Sequence, residues 1–424
     1  SLGLVGSEMC IRDSFYTGTS PIELHPYAIG RMYQIAESND GALFYSDYQE
    51  IRQGKKIHHP TLEYQTGSIR NDFDFGQLLL FRNDSFQQVV AQMNTDYRFA
   101  ALYELRLSIS RLGKIVHIPE TLYTVQPTDL RLSGEKQFDY VDPANREVQL
   151  EMEAVCTAHL QAIGAWLAPE FQRIDFGQEN FAREASVIIP VRNRKRTIAE
   201  AVESALQQQT DFSFNVIVVD NHSTDGTGQI LTELSRRYPN LIHHIPASTE
   251  LGIGGCWTEA ILLPECGKFA IQLDSDDLYK DCHVLQRIVD TFYQENCAMV
   301  IGSYQMVDFK LEEIPPGLIA HREWTPDNGR NNALRINGLG APRAFYTPVL
   351  RQIKFPNVSY GEDYATALAI SRKYLIARIY DPLYLCRRWE ENSDHDLDIQ
   401  QLNNYNFYKD KIRTLEIQAR ISGK

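Results

Sequence analysis

The residue types best suited to chemistry sit in Leu273-Asp274-Ser275-Asp276-Asp277, at the end of the apolar run Phe269–Leu273. Three carboxylates within four residues repel one another, and a divalent cation with phosphate oxygens would satisfy that charge. Mg2+ or Mn2+ is the cofactor this pattern points to; a solvated acidic turn capping the next helix is the alternative. A second candidate is Gly361-Glu362-Asp363-Tyr364, which opens a helix predicted over 364–372. Acids in a first helical turn are ordinary partners of the helix dipole. Here, however, residues 103–125 match 364–386 at nine of 23 positions without a gap, and Ala101 and Leu102 stand where the later copy has Glu362 and Asp363. A helix that forms without these acids does not need them, so Glu362 and Asp363 are both candidates for a general base.

The elements that must position these groups alternate between strand and helix from Glu184 onward. Val187–Val191 and Asn215–Val219 are short buried strands, with further strands expected at 241–245, 269–273 and 298–303. Between the first two, Thr197 and Glu200 have the spacing of a capping box, followed by Ile198, Ala201, Val202, Ala205 and Leu206 on one helix face. Such a pattern implies a mostly parallel α/β sheet covered by helices, with ligands beyond the carboxyl ends of its strands. Pro190, Arg192, Asn193, Asp220 and Asp274 all fall at those ends. Gly254 and Gly255 in LGIGG would let a phosphate or base come close, or would simply make a turn. Arg387-Arg388-Trp389 offers two cations for a departing diphosphate and a stacking face, or a surface basic pair on a packed Trp. There is no GxGxxG after a strand and no GxxxxGK[ST], which sets aside dinucleotide and P-loop readings.

The chain has 424 residues; 42 Lys+Arg against 55 Asp+Glu leave a net charge of −13. At roughly 100–200 residues per domain this length predicts two or three domains. The acidic balance argues against a sequence-independent grip on nucleic acid. No apolar run approaches the ~18–20 residues of a bilayer span, so no transmembrane segment is expected, though peripheral membrane contact is compatible. Seven scattered cysteines, never in a CxxC pair, suit a reducing, cytoplasmic setting. Residues 1–14 resemble translated adapter sequence and are set aside as non-native. The repeat makes 15–130 a truncated, degenerate half of the later domain, with Tyr45-Ser46-Asp47 aligned to Asp274-Ser275-Asp276. A linker with a helix over 143–168 fills 131–183, the catalytic domain spans 184–400, and 401–424 is a C-terminal helix.

In order along the chain, VIIPVRNR, VVDNHSTDGT, LDSDD and GEDY resemble the family 2 glycosyltransferases and their GT-A fold. The resemblance covers about 184–395. It implies that Pro190 and Asp220 contact the nucleotide base, that Asp274 and Asp276 form the DxD pair with Asp276 as the principal metal ligand, and that Asp363 is the base, oriented by Glu362. Two positions depart from the family: Trp257 and Thr258 replace an Arg-Asn pair after the glycine loop, and Trp389 stands where many members have a His.

The expectation is therefore an inverting glycosyltransferase, moving a sugar from a nucleotide-diphosphate donor, a UDP-sugar first, to a glycan or lipid-linked acceptor hydroxyl. Its setting would be cell-surface polysaccharide or glycoconjugate synthesis, in the cytoplasm or at the inner face of the membrane. A sugar-phosphate nucleotidyltransferase is the alternative enzyme, and a silent glycan-binding scaffold the alternative without catalysis.

Overall fold

The structure, a computed structural model, describes residues 3–5, 12–16, 21–94, 96–126, 145–177, 180–389 and 398–423, with backbone alone for 3–16. It divides into two compact units: residues 1–166, 334–337 and 396–424 form one, and 167–333 with 338–395 the other. The division falls earlier than the expected start at 184, and it gives 334–337 and the C-terminal helix to the first unit. Of the expected spans, 127–144 and 390–397 lie outside the described residues.

In the first unit, strands β1 (Gly3–Val5), β2 (Arg12–Tyr16) and β3 (Ile22–Leu24) precede helix α1 (Ala28–Glu37). Strands β4 (Gly41–Arg52), β5 (Lys55–His59) and β6 (Leu78–Arg82) follow, then helices α2 (Asn83–Val90) and α3 (Ala101–Leu112), strand β7 (Lys114–Val125) and helix α4 (Arg146–Ala162). β1 and most of β2 fall in the segment set aside as non-native; their backbone occupies one end of the sheet, whose order is β1-β2-β6-β4-β7-β3, with β5 paired to β4. Alternation along β4 and β6 sends Leu43, Tyr45, Leu79 and Phe81 to one face, under Leu105 and Ile109 of α3. Phe44, Leu78 and Leu80 point to the other face, under Ala28, Met32 and Ala36 of α1. Burial on both faces explains why Leu78–Phe81 reads as an unbroken apolar run. The linker helix is α4; it buries Gln149, Val155, Cys156, His159 and Leu160. The C-terminal helix Ile399–Ile421 begins at Asp398 with a capping box to Gln401.

The second unit holds strands β8 (Ala185–Val191), β9 (Phe214–Asp220), β10 (Leu241–His244), β11 (Phe269–Gln272) and β12 (Leu278–Tyr279), with helices α5 (Ile198–Leu206), α6 (Thr227–Arg237) and α7 (Ile253–Leu262) between them. Helix α8 (Val284–Glu295), strands β13 (Met299–Val307) and β14 (Glu313–Ile319), helix α9 (Gly329–Asn332), strand β15 (Arg343–Tyr346), helices α10 (Thr347–Ile353) and α11 (Glu362–Ser371) and strand β16 (Ile376–Arg387) complete it. The sheet order is β10-β9-β8-β11-β15-β13-β16-β12, with β14 paired to β13. Strands β10 to β11 are parallel, as the apolar runs predict. β13 does not continue that run: antiparallel β15 lies between it and β11. The class is α/β, with a sheet parallel in its first half and mixed in its second.

The two units share a pairing pattern. β4 lies between antiparallel β6 and parallel β7, as β13 lies between antiparallel β15 and parallel β16. A register shift interrupts each parallel pair at the same point, before Asp47 in one and Ser303 in the other. β3 closes its sheet against β7 as β12 does against β16. Tyr103 of α3 donates to the Ile69 carbonyl, and Tyr364 of α11 donates to the Ala333 carbonyl at 2.6 Å. These pairings correct one alignment: Tyr45-Ser46-Asp47 lies on the counterpart of β13, not of β11, so it does not correspond to Asp274–Asp276. The counterpart of β11 is β2, which pairs antiparallel with β6.

Candidate active site

The strands β8, β9 and β11 end side by side, and the loops that leave them carry most of the expected site residues. After β8, Pro190 is half-buried and Arg192 exposed, while Asn193 turns the chain at φ 54°. The Asn193 side chain accepts from the Thr224 amide at 2.8 Å, which ties this loop to the one after β9. Asp225 accepts from both the amide and the hydroxyl of Thr227, at the start of α6. Asp220 is buried; it accepts from the Ser223 amide at 2.9 Å and lies 3.2 Å from Nε2 of His243. Burial alone would raise its pKa, but His243 and Ser223 outweigh that and hold it lowered.

The acidic turn follows β11. Both oxygens of Asp274 accept from the Gln272 side chain, at 2.9 and 3.0 Å. Burial raises the pKa of Asp274, and it raises that of Asp277 well above the usual carboxylate range; Asp276 adds to both by repulsion. The Asp276 carboxylate accepts from the Trp389 indole at 3.2 Å and lies 3.8 Å from Nε of Arg194. Among the described residues no three or more His, Cys, Asp or Glu side chains are grouped to hold a metal. A protein-only cage is not what Mg2+ or Mn2+ requires, since one or two carboxylates with substrate phosphates and water suffice. Asp274 and Asp276 offer hard oxygen donors close together at the end of β11, and such donors fit that cation.

Arg387 has a different place from the one expected. It is 1% exposed. Its guanidinium donates to the Asp276 carbonyl and to Glu200, and its amide donates to Asp277 at 2.8 Å. It braces the acidic turn from within and is not presented to a diphosphate. The same contact corrects the capping box: Glu200 pairs with Arg387, and Thr197 caps α5 by position without a side-chain hydrogen bond. Cations that sequence reasoning passed over stand closer to the expected role. Arg196 lies over the rings of Phe309 and Trp389, at 4.3 and 5.3 Å, and Arg194 lies 5.9 Å from the Trp389 centroid. Their signal was the run Arg192-Asn193-Arg194-Lys195-Arg196 directly after a strand. Arg388 is half-buried, with its amide bonded to Val307.

Gly254 and Gly255 are also placed otherwise. A Cβ on Gly254 would lie 2.0 Å from the Pro356 carbonyl oxygen, and one on Gly255 would lie 2.3 Å from Oδ1 of Asn357. The Gly254 amide already donates to Val358. The close approach these glycines permit is that of the chain's own residues 356–358, not of a phosphate. Trp257 packs edge-on against Phe345 in the core.

Glu362 and Asp363 open α11, whose first residue is Glu362. Glu362 is buried, and among the described residues its Oε2 has no hydrogen-bond partner. Burial, reinforced by Asp363, pushes its pKa up to about 8. Asp363 is partly open, and its Oδ2 pairs with the Arg343 guanidinium at 2.6 Å. Arg343, unremarked in the sequence, faces Asp363, Asp274 and Glu362 together; these acids outweigh burial and raise its pKa. The unit therefore brings Asp274, Asp276, Glu362 and Asp363 to one end of the sheet, with Arg343 among them.

Known proteins resemble part of this chain. Residues 186–353 match the family model described as Glycosyl transferase family 2. An uncharacterized glycosyltransferase of Nostoc sp. is 32% identical over 123 residues, 29% of this chain and 37% of that protein. The poly(ribitol-phosphate) beta-glucosyltransferase of Bacillus spizizenii is 24% identical over 53% of this chain and 35% of its own length. The putative teichuronic acid biosynthesis glycosyltransferase TuaG of Bacillus subtilis is 26% identical over 46% of this chain and 74% of its own. The chain thus spans about a third of the length of the first two relatives. Among solved structures, TarS 1-349 of S. aureus in complex with UDP-GlcNAc superposes with a TM-score of 0.43 at 22% identity, covering 56% of this chain and 72% of that one.

Proposed function

We propose, from the match of residues 186–353 to the family 2 glycosyltransferase model, that the chain transfers a sugar from a nucleoside diphosphate donor to a hydroxyl of a glycan or lipid-linked acceptor. The observation that carries this reading is the gathering of the acidic turn, Glu362 and Asp363 at one end of the sheet, with Arg343 ion-paired to Asp363. The reaction is a direct displacement with inversion. As the acceptor oxygen bonds to the anomeric carbon, the bond from that carbon to the diphosphate oxygen breaks. Asp363 takes the acceptor proton in the same event, because a sugar hydroxyl is too weak an acid to lose it beforehand. Glu362, with its pKa near 8, is neutral at pH 7 and serves as a donor beside Asp363 rather than as a second base. Asp274 and Asp276 would hold a divalent cation, which when bound offsets charge on the departing diphosphate. Arg194 and Arg196, arrayed about Trp389, add positive charge at the same side.

A UDP-sugar heads the donors to test. Names of curated relatives point to wall polymers, so a cell-surface glycan or polyol chain is the acceptor class we place first. Work at the inner face of the membrane requires no span, and among the described residues no helix is long and apolar enough to cross one. The shared strand pairings support reading the first unit as a second, truncated copy of the later half of this domain. With Ala101 and Leu102 at the acid positions, that copy has no base and contributes packing or acceptor contacts.

The test is a thermal-shift panel of UDP-, GDP-, dTDP- and CMP-sugars with Mn2+, followed by nucleotide release from the donor it selects. Asp363→Asn should lower kcat by ~10²–10⁴ and leave donor affinity unchanged. A fully active Asp363→Asn enzyme refutes the base assignment. Pyrophosphate release from UTP and a sugar phosphate refutes the transferase reading.

A further inference from the structure

The ion pair between Arg343 and Asp363 has a counterpart in the first unit that shows what the fold itself requires. β6 has the same neighbours as β15. Tyr45 of β4 corresponds to Ile301 of β13 through their partners His117 and Arg378 in the parallel strands. Ile301 faces Arg343. In the first unit, Leu43 faces Phe81 and Phe44 faces Leu80, so the next position along, Leu79, is the one equivalent to Arg343. Helices α3 and α11 begin at equivalent residues, so Leu102 is equivalent to Asp363.

Where Asp363 is replaced by leucine, Arg343 is replaced by leucine as well. Leu79 sits in the core beside Tyr45 and Ile109, and strand, helix and sheet form without either charge. The arginine is thus dispensable to this arrangement of strands and goes with the acid. Around Asp363 it also has a defined mechanical setting. The Arg343 amide donates to the Gln272 side chain at 3.1 Å, and Gln272 donates in turn to Asp274. The guanidinium donates to the Gly340 carbonyl at 3.1 Å and reaches Asp363 with the same nitrogen. One residue therefore ties the Asp363 carboxylate to the frame that carries the acidic turn.

We propose that Arg343 is a positioning residue: its guanidinium holds Oδ2 of Asp363, so that Oδ1 meets the acceptor hydroxyl and takes its proton, and it acts on turnover only through Asp363. This rests on the transferase reading given above. A carboxylate at the start of a helix has several rotamers, and loss of a fixed geometry by about 1 Å can cost on the order of 10²-fold in rate.

The experiment is a double-mutant cycle in the full chain: Arg343→Leu, Asp363→Asn, the two together, and Arg343→Lys. Each is assayed for nucleotide release from the panel-selected sugar nucleotide, with water as acceptor, and titrated with that donor by calorimetry. The expected result for Arg343→Leu is a ~10²-fold loss in kcat with donor Kd within about threefold of wild type. Arg343→Lys should recover about tenfold of that loss, since a single cationic donor restores part of the pair. The double variant should be no slower than Asp363→Asn alone by more than about threefold, because the two act as a unit. Losses that multiply, a donor affinity that falls with kcat, a lysine no better than leucine, or a wild-type rate for Arg343→Leu each overturn the proposal. Should Arg343→Leu not fold, Arg343→Gln takes its place in the cycle; failure of both to fold also overturns it, since the proposal holds that the fold does not need the arginine. A wild-type rate for Asp363→Asn alone is a different outcome, and it removes the base assignment itself.

Discussion

Glu362 stores a pH dependence that a single substitution should release. Its carboxyl is buried with one oxygen unpartnered, and its pKa is raised from 4.5 to about 8. The folded state therefore binds a proton that the unfolded chain releases from pH 4.5 upward, and stability falls as pH rises through that window until about pH 8. Relative to a side chain that stays neutral, the cost is ~1 kcal/mol at pH 5, ~3 at pH 7 and ~4 at pH 8, at about 1.36 kcal/mol per pKa unit. Glu362→Gln keeps the shape and never ionises. The variant should thus melt close to wild type at pH 5 and well above it at pH 8. The gap should widen by about 3 kcal/mol, or some 6–12 °C at ~2–4 °C per kcal/mol for a unit of this size. Paired calorimetric scans from pH 5 to 8 measure it, and the difference between the two proteins cancels every other titrating group that they share unchanged. A gap that stays constant across this range, or one that narrows toward pH 8, refutes the buried neutral carboxyl and with it the donor role assigned to Glu362.

Other expectations follow from the same geometry. Asp276→Asn should leave the fold intact, since it removes a charge that repels Asp274 and Asp277, yet it should abolish any gain in donor affinity from Mn2+ over EDTA; calorimetry showing equal donor affinity in both media for the wild type would sink the metal assignment. Gly254→Ala should destabilise by about 1–3 kcal/mol, because its Cβ would meet the Pro356 carbonyl at 2.0 Å; urea midpoints measure this, and a neutral substitution would contradict the packing described for α7.

Much of the second unit was legible because buried parallel strands carry a dense signal. Val187–Val191 and Asn215–Val219 lie inside β8 and β9, and the expected helix face at Ile198, Ala201, Val202 and Ala205 is buried as read. The acids stood out for the same reason, being charges at the end of an apolar strand. What sequence could not supply was partner choice across distance. Glu200 has the spacing of a local cap, yet a buried arginine 187 positions away claims it. Arg343 lies in a short strand with no pattern of its own, and its meaning depends on Asp363 in another element. The LGIGG glycines correctly signalled a close approach, but composition does not say whose backbone approaches. The repeat misled in one place because similarity of an acid outweighed strand pairing, which no single sequence displays.

The first unit draws on the last residues of the chain. Asp410, 1% exposed in the C-terminal helix, accepts from Ser68 and Arg70, and Arg413 beside it donates to the Ile336 carbonyl and to Asn337. Gly67 leaves room for that helix, since a Cβ there would lie 2.2 Å from the Asp410 carbonyl oxygen. On the ribosome, the stretch around Ser68–Arg70 emerges more than three hundred residues before its partners do. At about 5–20 residues per second, it must wait tens of seconds for Asp410. The second unit, 167–333 with 338–395, has emerged in full before Asp410 does. For these two units the order of synthesis and the order of completion are therefore reversed: the earlier of the two is finished later. A ribosome that stops short of the final helix releases a chain whose later unit can be complete while its earlier one still lacks Asp410.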